Sequence, residues 1–227
     1  MCSSDLALRS VAPFLNLANV HADDLRVAPG ATTIRRGDRL HVEVDVARTG
    51  VREAEIQIVL QDESEESGRL RDVPANTADT TRFVYTSRPM QRNFRYRVRA
   101  GEAVSHYYDV TVIPPPEARY YDVTYTYPAY TKQDPLSTRV ARPDLRAVAG
   151  TRVEVMAVLN KAIEEAQITI NGNPADDVGL RTTVTDGGDT ACAFAVTLVP
   201  GLAASWSLSL TDEHGFHNDR ETYTLTA

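Results

Sequence analysis

Apolar and polar residues alternate with a period of two along most of this chain. From Leu40 to Val46, apolar side chains occupy every second position and polar side chains fall between them. The same alternation recurs over 56–58, 94–98 and 108–112. Successive side chains of a β-strand point to opposite sides, so this pattern is typical of strands with one buried face and one face in water. The pattern predicts an all-β chain.

Short glycine-containing turns separate the alternating stretches, for example at Gly37, Gly101 and Gly172. No long helical period interrupts them. About seven short strands in ~100 residues, with frequent turns, is the sequence pattern of an immunoglobulin-like β-sandwich. The Cys–Trp–Cys core of true immunoglobulin domains is absent from the sequence. We therefore expect cores built from Ile, Val, Phe and Tyr.

The two halves of the chain repeat one another. Four segments recur in the same order at offsets of 111–113 residues: Gly37–Val44 with Gly150–Ala157, Val51–Ile58 with Ile163–Ile170, Phe83–Tyr85 with Phe194–Val196, and Phe94–Val98 with Trp206–Leu210. A repeat of this length predicts two tandem sandwiches. In each, the final hairpin, 94–113 or 206–225, is expected to form the F–G strand pair.

Three consecutive prolines, Pro114–Pro116, divide the halves. Such a run favours an extended, semi-rigid segment that gives no backbone N–H groups to a sheet. The sequence therefore predicts a first sandwich over 21–113, a proline-rich linker over 114–118 and a second sandwich over 119–227. Residues 1–20 are expected to be a leader that is partly artefactual, disordered or a short helix.

The extreme N-terminus has two interpretations. Met1–Leu6 matches the translation of a common sequencing adapter, so we expect an assembly artefact and a chain that is a piece of a longer protein. In the rival interpretation, Cys2 is a lipoprotein cysteine whose signal has been removed. No apolar segment precedes Cys2, which favours the first interpretation. The other cysteine, Cys192, lies in an alternating apolar stretch and is expected to be a small buried hydrophobe.

Composition excludes several classes of protein. Hydrophobic residues make up 42% and charged residues 24%, values that are ordinary for a globular protein and exclude a collagen, a disulfide-rich mini-protein and a wholly disordered chain. The net charge of −7 argues against non-specific nucleic-acid binding. Nucleophile-elbow, phosphate-loop, HExxH and CxxC motifs do not occur in the sequence, so it predicts no catalytic residue and no cofactor.

Several strings resemble those of a known type of protein. Tyr127–Thr131 reads YPAYT, Gly150–Val153 follows at the next predicted strand, and Asp212–Phe216 lies in the last hairpin. With the segment from Tyr96 to the prolines, they resemble the tandem immunoglobulin-like or fibronectin-III-like modules of large uncharacterised bacterial membrane-anchored proteins. The resemblance covers roughly residues 21–227. It implies an extracytoplasmic, periplasmic or cell-surface location, with membrane contact only through flanking segments, and it implies no reaction.

Arginines occupy the exposed positions of the predicted F strand, beside a tyrosine of the next strand. The candidate ligand-binding residues are Arg95, Arg97, Arg99 and Tyr107. Guanidinium groups beside a tyrosine can bind an anionic glycan or a lipid head group. In the competing interpretation, the arginines pair with Glu55 on strand C and Asp109 on strand G, because opposite charges commonly meet across neighbouring strands.

Tyrosines crowd the start of the second half, at positions 120, 121, 125, 127 and 130. An exposed aromatic strip can stack on sugars. The alternation of Tyr121, Val123 and Tyr125 favours instead a first strand that buries these side chains in the sandwich.

Carboxylates and histidines cluster in the last hairpin, at Asp212, Glu213, His214, His217 and Asp219. Two histidines three residues apart could bind zinc. Because a hairpin does not hold residues i and i+3 on one face, as a helix does, we favour a solvated loop and predict no metal site.

Taken together, these patterns predict a non-enzymatic extracytoplasmic structural and interaction module, a fragment of a larger membrane-anchored bacterial protein. Its expected partner is an unknown protein or glycan, and no nucleic acid. A carbohydrate-binding or adhesive module is the alternative. A second alternative is an accessory domain of an enzyme whose catalytic part is missing.

Overall fold

The computed structural model describes residues 25–47, 51–73 and 80–227, so the predicted leader over 1–20 lies outside the described residues. In the described part, nearly all regular structure is β-strand, and the helices are single 3-10 turns such as Ala129–Thr131. None of the described helices has the length and apolar character needed to cross a bilayer. The chain divides into two compact units between Ile113 and Pro114.

Ten strands make up the described part of the first unit: β1 (Leu25–Ala28), β2 (Thr32–Arg35), β3 (Arg39–Val46), β4 (Ala54–Leu60), β5 (Glu65–Arg69), β6 (Arg71–Val73), β7 (Thr81–Pro89), β8 (Phe94–Ala100), β9 (Ala103–Val104) and β10 (Tyr108–Ile113). They form two sheets, in the orders β1-β3-β7-β6 and β2-β10-β8-β4-β5, and β9 pairs with β8. Strand β2 runs parallel to β10. In immunoglobulin lettering the sheets are A-B-E-D and A′-G-F-C-C′, so this unit is an immunoglobulin-like sandwich.

Alternation decides which side chains fill the first core. Leu40, Val42, Val44 and Val46 all point inward from β3 and are almost fully buried. They share one apolar cluster with inward side chains of the facing sheet, including Ile56 on β4. Full burial of one such side chain contributes about 1.5–3 kcal/mol through the hydrophobic effect. The inward faces predicted for β3, β4 and β8 are confirmed.

Ten further strands make up the second unit: β11 (Ala118–Thr126), β12 (Leu136–Val140), β13 (Leu145–Arg146), β14 (Arg152–Leu159), β15 (Glu165–Ile170), β16 (Asn173–Pro174), β17 (Arg181–Val184), β18 (Thr190–Thr197), β19 (Ala203–Thr211) and β20 (Tyr223–Thr226). Their sheets have the orders β12-β11-β14-β18-β17 and β13-β20-β19-β15-β16, with β13 parallel to β20. The strand order of the first unit recurs, with β12 added at the β11 edge. The protein is a tandem of two immunoglobulin-like β-sandwiches.

Aromatic side chains fill the second core, which forms an apolar cluster of its own. The Trp206 ring lies 5.0 Å from Phe194 and 4.9 Å from Tyr223, measured between ring centroids. Aromatic pairs at such distances add about 0.5–1.5 kcal/mol beyond the area they bury. Cys192 is a fully buried free thiol in the same cluster, which confirms its expected packing role.

The proline segment makes hydrogen bonds to the second unit. The Asn160 side chain donates to the carbonyl of Pro115 and accepts from the backbone N–H of Glu117. Strand β11 then begins at Ala118, the last residue of the predicted linker. The asparagine thereby fixes where the chain enters its second sandwich.

Candidate functional site

The candidate site is the outer surface of the β2-β10-β8-β4-β5 sheet of the first unit. We call it the arginine face and define it by Arg95, Arg97, Arg99, Tyr107 and Gln57. The residues between the arginines on β8 are buried in the core. The pleat of β8 therefore turns the three guanidinium groups outward, as the alternation predicted.

Two arginines converge on the tyrosine at the centre of this face. The guanidinium carbons of Arg95 and Arg97 each lie 4.8 Å from the centroid of the Tyr107 ring. The antiparallel pairing of β8 with β10 places Asp109 opposite Arg95, and so brings Tyr107 beside Arg97. A cation over an aromatic face at an exposed site contributes about 0.5–1 kcal/mol. The structure thus brings together three of the four predicted site residues.

Gln57 holds this cluster from the neighbouring strand β4. Its side-chain oxygen accepts a 2.6 Å hydrogen bond from Nε of Arg97 and a longer, 3.4 Å contact from the Tyr107 hydroxyl. Its side-chain nitrogen donates to a carboxylate oxygen of Glu65 at 2.6 Å. Because Glu65 takes the amide nitrogen, the amide oxygen faces the arginine. Sequence reasoning did not find Gln57, whose outward position in β4 was its only signal.

The predicted alternative, ion pairing across strands, does not form at this face. Glu55 lies opposite Arg99, and Asp109 lies opposite Arg95. Among the described residues, however, no carboxylate oxygen lies within 4.0 Å of a side-chain nitrogen of Arg95, Arg97 or Arg99. Arg99 also lies apart from the Tyr107 ring that its two neighbours contact.

Other arginines of the chain do bind carboxylates with two parallel hydrogen bonds. The pairs are Arg82 with Asp45, Arg88 with Glu66 and Arg139 with Asp122. In the first pair, the bond from Arg82 lowers the pKa of the Asp45 carboxyl. Fork-to-fork geometry of this kind is the strong form of the arginine–carboxylate contact. The arginine face differs from these sites, because Arg95 and Arg97 contact an aromatic ring without a carboxylate of the described residues within 4.0 Å.

On β11, Tyr121 is buried inside the second sandwich, as the alternation predicted, while Tyr125 is only half-buried against the core. Tyr121 and Val123 are buried on β11. The Tyr121 hydroxyl lies 3.0 Å from the Tyr223 hydroxyl inside the core, and burial raises the pKa of Tyr121. Tyr130 differs: its side chain is 72% exposed, while its hydroxyl donates to the carbonyl of Ala149.

The last hairpin contains a buried carboxylate that sequence reasoning did not single out from its neighbours. Asp212 is 1% exposed and accepts a 2.6 Å hydrogen bond from Nζ of Lys161. It also accepts from the backbone N–H groups of His214 and Phe216. Burial by itself would raise the pKa of Asp212, but the lysine and the two N–H donors outweigh it, so the pKa lies below its usual range.

The histidines of this hairpin have separate neighbours. His217 shares a 3.1 Å hydrogen bond with the Thr211 hydroxyl, and the His214 ring stacks on Phe216. Within residues 25–47, 51–73 and 80–227, no group of three or more histidine, cysteine or acidic side chains is arranged to hold a metal ion. The backbone N–H groups that donate to Asp212 show that its carboxylate orders the loop backbone.

No protein-family model matches the chain, and no curated protein matches it. Solved structures that resemble it include the I9–I11 tandem from titin, at 11% identity and a TM-score of 0.33, covering 89% of this chain and 65% of that one. A marsupial T cell receptor resembles it at 10% identity and a TM-score of 0.30, covering 88% of this chain and 99% of that one. The chain thus spans less than two thirds of the titin structure. The fold assignment rests on the strand order of each unit, and the resemblance of the YPAYT segment to a bacterial family stays a prediction.

Proposed function

We propose that this chain is a non-enzymatic interaction module whose partner docks on the arginine face. The supporting observation is that three arginines face outward from one strand and two of them contact the same tyrosine ring, while no carboxylate oxygen of the described residues lies within 4.0 Å of their side-chain nitrogens. Exposed arginines that are not in direct contact with a carboxylate keep their hydrogen-bond donors available for a partner of opposite charge.

Binding suits the chemistry of this face better than catalysis does. An arginine stays protonated throughout the physiological pH range, so it cannot exchange protons as a general acid or base. It can donate several hydrogen bonds in a fixed plane and recognise an anionic group. Gln57 and Tyr107 hold Arg97 in place, which reduces the entropy that binding would otherwise cost.

We place the module outside the cytoplasm, within a larger membrane-anchored bacterial protein. A tandem of two sandwiches divided at a proline segment is an organisation typical of spacer and recognition modules. The YPAYT segment and the strings that accompany it add the resemblance to bacterial extracytoplasmic modules. A carbohydrate partner is the alternative to a protein partner at the same face.

Site-specific photo-crosslinking in the native bacterium tests this proposal on the complete gene product. A photoreactive phenylalanine analogue replaces Asp109, which is exposed beside Arg95. The matched control replaces Arg71, which is exposed on the other sheet of the same unit. We expect an adduct from position 109, discrete for a protein partner and heterogeneous for a glycan, and none from position 71.

The same cells report the location of the module. A membrane-impermeant reagent should label the chain once the outer membrane is permeabilised, while the inner membrane stays intact. Equal adducts from both positions, or no adduct from position 109, would contradict docking at the arginine face. Protection from the reagent until the inner membrane is broken would contradict the extracytoplasmic placement.

A further inference from the structure

Two guanidinium groups of the arginine face contact the same tyrosine ring. Arg95 and Arg97 hold their guanidinium carbons at the same 4.8 Å distance from the Tyr107 centroid. Both groups are permanently protonated, so their mutual Coulomb repulsion opposes this arrangement. An anion that binds both groups removes the repulsion. The pair, which we call the clamp, therefore presents two positive charges beside one ring to an anionic ligand.

The clamp is ordered before any ligand arrives. The 2.6 Å bond from Nε of Arg97 to Gln57 fixes the plane of the guanidinium group, and Glu65 fixes Gln57 in turn. A guanidinium group has five N–H donors, of which this bond uses one. The terminal amino groups of Arg97 make no side-chain hydrogen bond among the described residues, so they are available for a carboxylate or sulfate.

The nearby carboxylates of the described residues form no ion pair with the two arginines of the clamp. Asp109 is the cross-strand neighbour of Arg95, yet no carboxylate among the described residues approaches Arg95 or Arg97 within 4.0 Å. Arg99 continues the row two residues further along β8, opposite Glu55. At 3.3–3.4 Å per strand residue, the row from Arg95 to Arg99 extends over about 13 Å.

The surroundings of the clamp favour a hydrophilic polymer over a protein or a lipid. Protein interfaces depend on apolar or aromatic anchors at their centre. The large exposed apolar side chains of the described residues all belong to the second unit: Tyr130, Leu136, Val148, Val184 and Val199. The aromatic ring of the arginine face, Tyr107, is covered by guanidinium groups. A linear polyanion needs no apolar anchor.

We propose that the arginine face binds an acidic polysaccharide that lies along β8. Arg95 and Arg97 clamp one carboxylate or sulfate group, and Arg99 contacts a second group further along the polymer. This inference rests on the proposed function, because it names the partner of the same docking face. Repeated anionic groups would raise the affinity by rebinding, since each single contact is weak.

Calorimetric titration of the purified full chain tests the inference with defined polymers. The probes are polygalacturonate, dextran sulfate, uncharged dextran, poly-glutamate and vesicles that contain anionic lipid. We expect binding of polygalacturonate or dextran sulfate, with the two polymers distinguishing carboxylate from sulfate as the preferred group. Uncharged dextran should not bind, and affinity should fall as salt screens the contacts.

Matched charge-neutral variants locate the site. The double variant R95Q/R97Q should weaken polysaccharide binding by at least about tenfold, the equivalent of ~1.4 kcal/mol. The control R39Q/R71Q removes the same net charge from exposed strand positions on the other sheet, and it should change affinity by less than about twofold. R99Q, the second test variant, should give a smaller loss than the double variant.

Three results would overturn the inference: no polysaccharide binding by the native chain, equal weakening by R95Q/R97Q and R39Q/R71Q, or binding confined to poly-glutamate or to vesicles. R99Q keeps the test decisive if the double variant does not fold, because an affinity unchanged by R99Q would then contradict the row. A discrete protein adduct from position 109, together with no polysaccharide binding, would retain the proposed function and exclude this ligand.

Discussion

At the residue scale, a single tyrosine hydroxyl links the first core to the turn between β1 and β2 by a hydrogen bond. The Tyr96 side chain is fully buried on β8, and its hydroxyl donates to the carbonyl of Gly30 at 3.1 Å. Substitution Y96F leaves that carbonyl without its donor. We expect a loss of about 1 kcal/mol in the free energy of unfolding of the first unit at neutral pH. Urea denaturation followed by circular dichroism measures it.

Because of the same residue, we expect the free energy of unfolding of the first unit to fall at alkaline pH. Burial raises the pKa of Tyr96 to about 12, above the usual value near 10 for an exposed tyrosine. The unfolded chain therefore ionises first, so stability that is complete below pH ~10 is lost as the pH rises towards ~12. The difference in unfolding free energy between the native chain and Y96F should shrink over that interval. A difference that stays constant or grows would contradict a raised pKa of Tyr96 in the folded state.

We expect the free energy of unfolding of the second unit to fall at acid pH because of Asp212. Because its pKa is lowered in the folded state, its contribution is present above pH ~4 and is lost as the pH falls through the folded pKa. D212N should cost about 1–3 kcal/mol at pH 7, and the deficit should narrow at low pH. Fluorescence of Trp206, the only tryptophan of the chain, follows the unfolding of this unit.

The control for D212N is a carboxylate at the surface of the same unit. Asp122 accepts two hydrogen bonds from Arg139, but its side chain is 30% exposed, against 1% for Asp212. D122N should therefore cost less than about 1 kcal/mol. Equal losses of unfolding free energy in D212N and D122N would show that the buried contact of Asp212 with Lys161 stabilises the unit no more than the Asp122–Arg139 pair does.

Individual residues also show what an alternating pattern can and cannot predict. The pattern placed Arg95, Arg97 and Arg99 outward, because the period of a strand fixes the face of each side chain. It could not decide between Tyr107 and the carboxylates as their neighbours. That choice depends on the rotamers of long, flexible side chains and on Gln57, a residue of another strand. The Asp212–Lys161 contact likewise could not be predicted from the alternating pattern, because 51 residues separate the two side chains in the sequence.

At the element scale, β5 passes close over a side chain of the facing sheet. A Cβ atom added at Gly68 would lie 2.6 Å from Cε2 of Tyr85 on β7. G68A therefore forces the ring out of its packed position, and we expect a cost of about 1–3 kcal/mol. Chemical denaturation of G68A, Y85A and the double variant measures the coupling.

The double variant decides whether the ring is the cause. In the Y85A background, G68A should cost little, because the atoms that clash are gone. S67A, one position earlier on β5 but on the opposite face, should change stability by less than about 0.5 kcal/mol. A full G68A penalty in the Y85A background would contradict the steric explanation.

Elements with a strong alternation were predictable, and edge elements were not. β3 and β14 lie in the repeat at matching positions because each must supply buried side chains at every second residue. β2 has four half-buried residues, and β12 is mostly exposed, so neither shows the pattern. Their pairing with β10 and β11 follows from available sheet edges, which is a property of the assembled fold.

At the scale of the whole molecule, the protein consists of two sandwiches with separate cores. The first apolar cluster draws all its members from the first unit, and the second draws all of its members from the second unit. The tandem was predictable because the repeated segments carry the core positions. A specific partner was not, because recognition at the arginine face depends on side-chain geometry that a repeat does not encode.

Thermal unfolding of two repeat-related variants tests this claim most directly. Ile56 and Ile168 are equivalent buried residues of the two cores, and each Ile→Val change should cost about 0.5–1.5 kcal/mol. Circular dichroism reports both units, while Trp206 fluorescence reports the second. We predict that I168V lowers the Tm seen by Trp206 by about 4–8 °C per kcal/mol, and that I56V leaves it unchanged while lowering the other transition. An equal shift of the Trp206 transition by both variants would contradict two independent cores.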